Sequence, residues 1–191
     1  MKTAVALTFR PLTPSRWKDL ETLFGPNGAC AGCWCMWWRL PRSKYRLQQG
    51  AKNKAAFKKL VAAGRTPGIL AYEGRTPIGW CAVEPRDAYP VLDRSKVLAR
   101  VDEEPVWSIP CFFIAKSHRN RGVTVALLEA AAAFAGKKGG KLLEGYPIDS
   151  RGKPFSVAFA WTGFAPAFID AGFKECARRS PSRPIMRLKV K

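Results

Sequence analysis

Apolar and polar positions alternate weakly over residues 5–10, the period-two spacing of a first strand. Thr13 followed by Pro14 marks a helix start, and the helix runs to about Phe24, where Gly25-Pro26 stops it. Helical spacing returns over residues 51–63, with Ala55, Phe57, Leu60 and Val61 on or near one face and Gly64 behind them. Residues 68–72 and 78–83 flank a Glu73-Gly74-Arg75 turn and predict a hairpin. Residues 85–104 are polar, with a helical turn plus loop expected around 91–101. The central strand is 106–115. Pro110 interrupts it and cannot donate to a ladder, which predicts a bulge or a splayed edge. The strongest helix is 122–137, closed by Gly139-Gly140. After it come a strand at 141–146 ended by Pro147, a short helix at 159–171 closed by Gly172, and a strand pair at 173–178 and 185–190.

This order predicts an α/β arrangement around one sheet, without internal repeats or a long flexible linker. A single domain over residues 1–191 is expected, with a Cys/Trp-rich basic insertion at about 27–50 that reads as irregular. At 191 residues the chain is long enough to bury a real core, and 47% hydrophobic content excludes a mainly disordered polyelectrolyte. No apolar run approaches the roughly 20 residues of a membrane span, and the start lacks the apolar centre of a signal peptide. A cytoplasmic protein without membrane contact is the expectation.

The net charge of +19 is unevenly placed. No acidic residue lies between Glu21 and Glu73, whereas nine basic ones run from Arg39 to Arg65; the tail from Lys174 adds seven against Glu175 alone. Such a field favours anionic ligands, with non-specific nucleic-acid binding among them. Six cysteines in a chain of this size do not make a disulfide scaffold. Cys81, Cys111 and Cys176 sit in apolar patterns and read as buried thiols.

The most informative segment joins the central strand to the strongest helix through a short basic turn. Arg119, Gly122 and Thr124 give Arg-x-x-Gly-x-Thr, with Lys116, His118 and Arg121 nearby. A helix start offers unpaired N–H groups and partial positive charge, so this turn reads as a socket for a pyrophosphate. A Rossmann or P-loop site fits worse, because no G-x-G-x-x-G or Gly-Lys-Ser/Thr follows a glycine-rich loop.

Strand, Arg-x-x-Gly loop, long helix, strand and a short helix ending in Gly172-Phe173 together resemble the GNAT N-acetyltransferase superfamily. The element order extends the resemblance over nearly the whole chain, with motif-level detail at residues 109–134 and 164–173. It implies a three-layer α/β fold: a mixed, mostly antiparallel six- to seven-stranded sheet, splayed at the cofactor strand and flanked by about four helices. It implies acetyl-CoA as co-substrate, with Arg119, Asn120, Arg121, Gly122, Val123 and Thr124 around the pyrophosphate. Backbone groups of Phe113 and Ile114 would face the pantetheine arm. Thr124 departs from the glycine or alanine usual at its position.

Acetyl transfer needs a deprotonated amine, a polarised thioester carbonyl and a proton for the leaving thiolate. Many members of the family carry a tyrosine four residues before the closing glycine of the short helix; here that residue is Phe168. Tyr146 is the substitute candidate acid, and Glu84 and Glu144 are candidate bases, acting through water. His118, the only histidine, lies in the phosphate loop, which removes every Ser-His or Cys-His triad. Within the insertion, Cys30, Cys33 and Cys35 could be three zinc ligands, but no second Cys or His pair follows, and no metal is expected. The resemblance makes the insertion a wall of the acceptor pocket, with Trp34, Trp37, Trp38 and Arg39 as candidate acceptor contacts. The resulting expectation is an N-acetyltransferase acting on a small-molecule or peptide amine by direct attack in a ternary complex, as a monomer or homodimer. Two other readings are a basic RNA- or ribosome-associated binding protein on the same fold, and an acyltransferase using a longer acyl-CoA.

Overall fold

The computed structural model describes residues 6–152 and 160–190. In chain order the elements are β1 (Leu7–Pro11), α1 (Trp17–Phe24), α2 (Arg42–Gln48), α3 (Ala51–Ala62), β2 (Gly68–Glu73), β3 (Thr76–Pro85), β4 (Trp107–Ile114), α4 (Val123–Lys137), β5 (Leu142–Gly145), α5 (Ala165–Asp170), β6 (Lys174–Arg178) and β7 (Pro184–Lys189). The expected starts at Val5 and Phe159 lie outside the described residues. One expectation is corrected: the insertion is not irregular throughout, since Arg42–Gln48 is helical. Extended Pro41 leads into a stretch free of glycine and β-branched residues, and Tyr45 anchors it as its one buried side chain.

The strands form one mixed sheet in the order β1-β2-β3-β4-β5-β7-β6. β1 to β4 make an antiparallel meander, α4 crosses over to β5, and β5 lies parallel to β4. β7 then enters between β5 and β6, antiparallel to both. Alternation along each strand sends side chains to two helical layers. Ile69, Ala71, Cys81, Val83 and Phe112 pack with Leu127, Leu128 and Ala131 of α4 and Phe168 of α5. Leu70, Tyr72, Trp80 and Ala82 face Trp17, Leu20 and Phe24 of α1, Tyr45 of α2 and Phe57 of α3. The insertion is thereby stitched onto one face of the sheet and α4 onto the other.

The polar stretch after β3 is held by one buried arginine. Arg86 Nη1 donates to Glu144 Oε1 (2.8 Å) and Tyr146 Oη (2.7 Å), and Nη2 donates to Asp93 Oδ1 and the Leu98 carbonyl (2.8 Å each). Arg187 Nε completes Glu144 by donating to its Oε2 (2.8 Å), and Tyr146 also shares a hydrogen bond with Ser108 Oγ (2.7 Å). Side-chain donors thus fix a segment that has little regular structure of its own. Removing one partner from such a network leaves a buried charge without compensation.

Arg86→Met should therefore lower unfolding free energy by about 3–5 kcal/mol. Adding Glu144→Gln should recover part of the loss, and urea denaturation of the two variants checks both. The four tyrosines give a second expectation. Burial raises all their pKa values: Tyr45 to about 12, Tyr72 further, and Tyr89 and Tyr146 well above the ordinary range. The unfolded chain releases these protons near pH 10 while the folded chain keeps them, so stability falls as pH rises from about 10 through 12. Tyrosinate absorbance should accordingly rise only together with loss of the circular-dichroism signal. A normal tyrosine titration in a still-folded protein would contradict this.

Candidate active site

β4 and β5 pair over a short stretch only: Trp107 with Leu143, Ser108 with Glu144 and Ile109 with Gly145. Directly beyond it, Pro110 has no N–H to offer. The register against β3 also slips here, with Ile109 and Pro110 of β4 spanning the single residue Val83 between Ala82↔Cys111 and Glu84↔Ser108. The expected bulge is therefore present at Pro110, and so is the splay. Past it, the Ala115 N–H bonds the Ile78 carbonyl opposite, so by alternation Phe113 points its backbone groups at β3. Phe112 and Ile114 point theirs to the open side. Of the two residues expected to offer backbone groups to a ligand, Ile114 thus faces the open side and Phe113 faces β3.

Three groups close this open edge. Trp38 Nε1 donates to the Pro110 carbonyl (3.0 Å), the Phe112 N–H donates to the Trp161 carbonyl (2.6 Å), and Arg119 Nε donates to the Ile114 carbonyl (3.2 Å). A strand edge without another strand needs such partners, because buried N–H and C=O groups left unpaired are costly.

The edge leads straight into the basic turn. Asn120 and Gly122 both have positive φ, and an ideal Cβ on Gly122 would meet nothing within 4 Å. Glycine is favoured there by its left-handed backbone (φ 75°, ψ 0°), which aims the first turn of α4 outward. No side chain caps α4 and no acidic residue occupies its first turn; the first amide bonded inside the helix is that of Ala126, to the Gly122 carbonyl. The amides of Val123 and Thr124 thus belong to the unpaired start of the helix. Lys116, Arg119 and Arg121 stand exposed around them. Glu73 draws His118 Nε2 (3.1 Å) and Arg121 Nη2 (3.2 Å) back towards β2. The same contacts, His118 first, hold the Glu73 carboxyl below its usual range.

The candidate acid and bases are placed differently from expectation. Tyr146 and Glu144 are fully enclosed in the Arg86 network, and burial holds the tyrosine proton in place. Glu84 is buried between Arg39 and Arg65, which donates to its Oε1 from Nη2 (2.7 Å) and Nε (3.0 Å). These three groups hold elements together instead of facing an open cleft. Phe168 is buried too, and its ring lies where a Cβ on Gly145 would stand, 2.1 Å from its Cε1. It wedges into the β4–β5 divergence against Phe112 and Phe173, an apolar job with no place for a proton donor.

Of the insertion residues, Trp34 is core: it stacks on Trp17 (6.1 Å) and packs on Phe24. Arg39 is also withdrawn, ion-paired with Glu84 beneath the Tyr89 ring. Trp37 and Trp38 remain half-buried beside β4. Trp37 touches the rings of Tyr45 (5.0 Å) and Trp161 (5.9 Å), with the Arg42 guanidinium over its face (3.8 Å). Tyr45 and Trp161 escaped the reading of the sequence. A tyrosine in a basic stretch and a tryptophan two residues before a glycine carry no spacing that points to β4. Among the described residues, no group of three or more His, Cys, Asp or Glu is arranged to hold a metal, and no helix is long and apolar enough to cross a membrane.

The acetyltransferase (GNAT) family matches residues 34–145. No curated protein matches the chain by sequence. Among solved structures, a GNAT-family acetyltransferase from Listeria monocytogenes aligns with a TM-score of 0.57 at 8% identity, covering 96% of this chain and 95% of that one. The PaiA N-acetyltransferase of Thermoplasma acidophilum, in complex with coenzyme A, aligns at 0.53 and 14% identity over 96% and 99% of the two chains. YncA of Salmonella typhimurium, with its cofactor acetyl-CoA, aligns at 0.53 and 13% identity over 97% and 95%. At these identities the likeness speaks for the fold, a mixed seven-stranded sheet flanked by helices. The family match covers more than half of the sequence, and the chain belongs to the GNAT acetyltransferase family.

Proposed function

We propose that this protein transfers an acetyl group from acetyl-CoA to a primary amine by direct attack in a ternary complex. The observation that carries the reading is the continuity between the open edge of β4 and the uncapped, basic start of α4. Arg119, Asn120, Arg121, Gly122, Val123 and Thr124 hold the pyrophosphate through main-chain amides and guanidinium groups. Phe112 and Ile114 offer backbone groups to the pantetheine arm, in place of the internal partners they have now. When bound, the thioester provides the activated acyl group. The Phe112 N–H is the donor set to receive a carbonyl oxygen where the Trp161 carbonyl now lies.

The acceptor reaches β4 from the insertion side, beside Trp37 and Trp38. Trp34 and Arg39 support that wall from within. With Tyr146, Glu144 and Glu84 engaged elsewhere, Tyr45 is the titratable hydroxyl nearest this side. Burial pushes its pKa up to about 12, which keeps it protonated and suits it to donate rather than accept a proton. A small-molecule or peptide amine fits a wall of aromatic rings, which can hold an ammonium by cation–π contact before it loses its proton.

A second reading, a catalytically weak basic binding protein, draws on the exposed Lys44, Arg46, Lys52, Lys58 and Lys59 of α2 and α3. Thermal unfolding with acetyl-CoA, CoA and longer acyl-CoAs separates the readings. A ligand at 100 times its Kd should add about 2.7 kcal/mol of stability. Replacing Arg119 by Ala and Gly122 by Val together should weaken CoA binding on the order of 100-fold while far-UV circular dichroism is kept. No stabilisation by any CoA species would overturn the cofactor assignment. CoA binding without turnover on an amine panel, joined to salt-sensitive RNA binding, would favour the second reading.

A further inference from the structure

Two sulfurs meet on the insertion side of β4, outside the machinery described above. Cys111 projects from β4 directly opposite Ala82 of β3. Trp80, two residues before Ala82, shares their face of the sheet. Because Ala82 is small, it leaves room above the strand pair. Cys35 descends into that room from the insertion, and its Sγ accepts a hydrogen bond from Trp80 Nε1 (2.9 Å). Cys111 packs into the same cluster beside that sulfur, and its own thiol donates to the Phe112 carbonyl (3.9 Å). The turn that delivers Cys35 is strained: Trp34 and Cys35 both have positive φ (43° and 55°), following Ala29 and Ala31 in the same region. Side chains so rarely adopt this backbone that it persists only where the surroundings hold it, as the Trp34 ring and the Cys35 contacts do here.

We propose that Cys35 and Cys111 are an oxidisable pair, a site at which hydrogen peroxide joins the insertion to β4 by a disulfide. The Cys35 sulfur attacks one peroxide oxygen and breaks the O–O bond, giving a sulfenic acid and, after protonation, one water. The Cys111 sulfur then displaces the sulfenic oxygen, which leaves as a second water carrying the thiol proton. Two thiols lose two electrons and two protons in all, and one peroxide is reduced to two waters. A thiol reductant reverses the step.

The surroundings favour Cys35 over the other thiols as the one that attacks, with Cys111, whose own proton is held more firmly, as the one that resolves. Burial opposes ionisation of Cys35, but the Cys111 thiol, the nearby Arg39 guanidinium and the Trp80 N–H outweigh it and bring its pKa below the ordinary range, with Glu84 acting against them. Cys33, by contrast, is raised by burial to about 11, and Cys81 is raised by burial well above its usual value. Cys81 also faces the opposite layer of the fold, packed with α4. Cys176 lies far away on β6, its thiol donating to the Ile185 carbonyl (3.4 Å).

The bridge would tie the insertion to the residue just before Phe112. Its effect on turnover rests on the function proposed above; its formation does not. The full-length protein is treated with hydrogen peroxide, remaining thiols are alkylated, and peptides are mapped without reduction. We expect the peptide pair carrying Cys35 and Cys111, loss of two of the six thiols, and recovery of both with dithiothreitol. Cys111→Ser should abolish the bridge and leave Cys35 as a sulfenic acid trapped by dimedone, whereas Cys176→Ser should leave the bridge in place. A map of the wild-type protein in which Cys30–Cys33 is the only bridge, or in which Cys35 stays a free thiol while other cysteines are oxidised, would overturn the proposal. The map needs neither CoA nor an acceptor, so its outcome is separate from that of the acetyl-transfer reading.

Discussion

The parallel pairing of β4 and β5 ends at Ile109 and Gly145, and much of the remaining structure follows from how that early ending is stabilised. A sheet that parts in its middle exposes main-chain groups, which must find partners. On this chain the partners are a tryptophan indole from the insertion, a main-chain carbonyl at Trp161 and the guanidinium of Arg119. None of the three is a strand, so each can be exchanged for another hydrogen-bonding group without unzipping the sheet. The apolar side of the parting is filled by Phe168, which needs Gly145 to lie against. Opening and filling are therefore properties of the same few residues.

The charges divide into two populations. Arg39 and Arg86 are spent inside, against Glu84 and Glu144, with the exposed Arg65 and the partly buried Arg187 completing the two carboxylates. Buried ion pairs of this kind add little net stability compared with apolar packing, but they are intolerant of losing one member. They fix the polar stretch after β3 and the outer strands around β5, so the acidic residues nearest β4 are structural. The second population is solvated, on α2, on α3 and around the start of α4, where Lys116, Arg119 and Arg121 stand. Only its last part coincides with the open strand edge, which singles that part out as the proposed site and leaves the remainder as a diffuse field.

Local patterning carried the element order well, because a hairpin turn, a glycine stop or a proline inside a strand acts within a few residues. Pro110 and Gly122 were legible for that reason: one lacks a donor and the other takes a backbone angle that side chains avoid. What stayed hidden depends on long-range meetings. Arg86 and Glu144 are 58 residues apart, and Arg39 and Glu84 are 45 apart, with no periodicity linking them. Each carboxylate therefore stood as a candidate base, with no particular arginine to assign to it. Trp34 and Trp37 looked alike in sequence, yet the strained turn at Trp34 and Cys35 sends one ring into the core and leaves the other beside β4. Phe113 and Phe112 differ by one position in register, which only the pairing with β3 resolves.

Amide hydrogen exchange with and without CoA tests the central claim most directly, that the edge of β4 and the start of α4 form one cofactor cleft. The account predicts new protection at Ile114 and at Gly122, Val123 and Thr124, together with altered exchange at Phe112 as its bond to Trp161 is replaced. Protection confined to the basic helices α2 and α3, with β4 and the start of α4 unchanged, would contradict it.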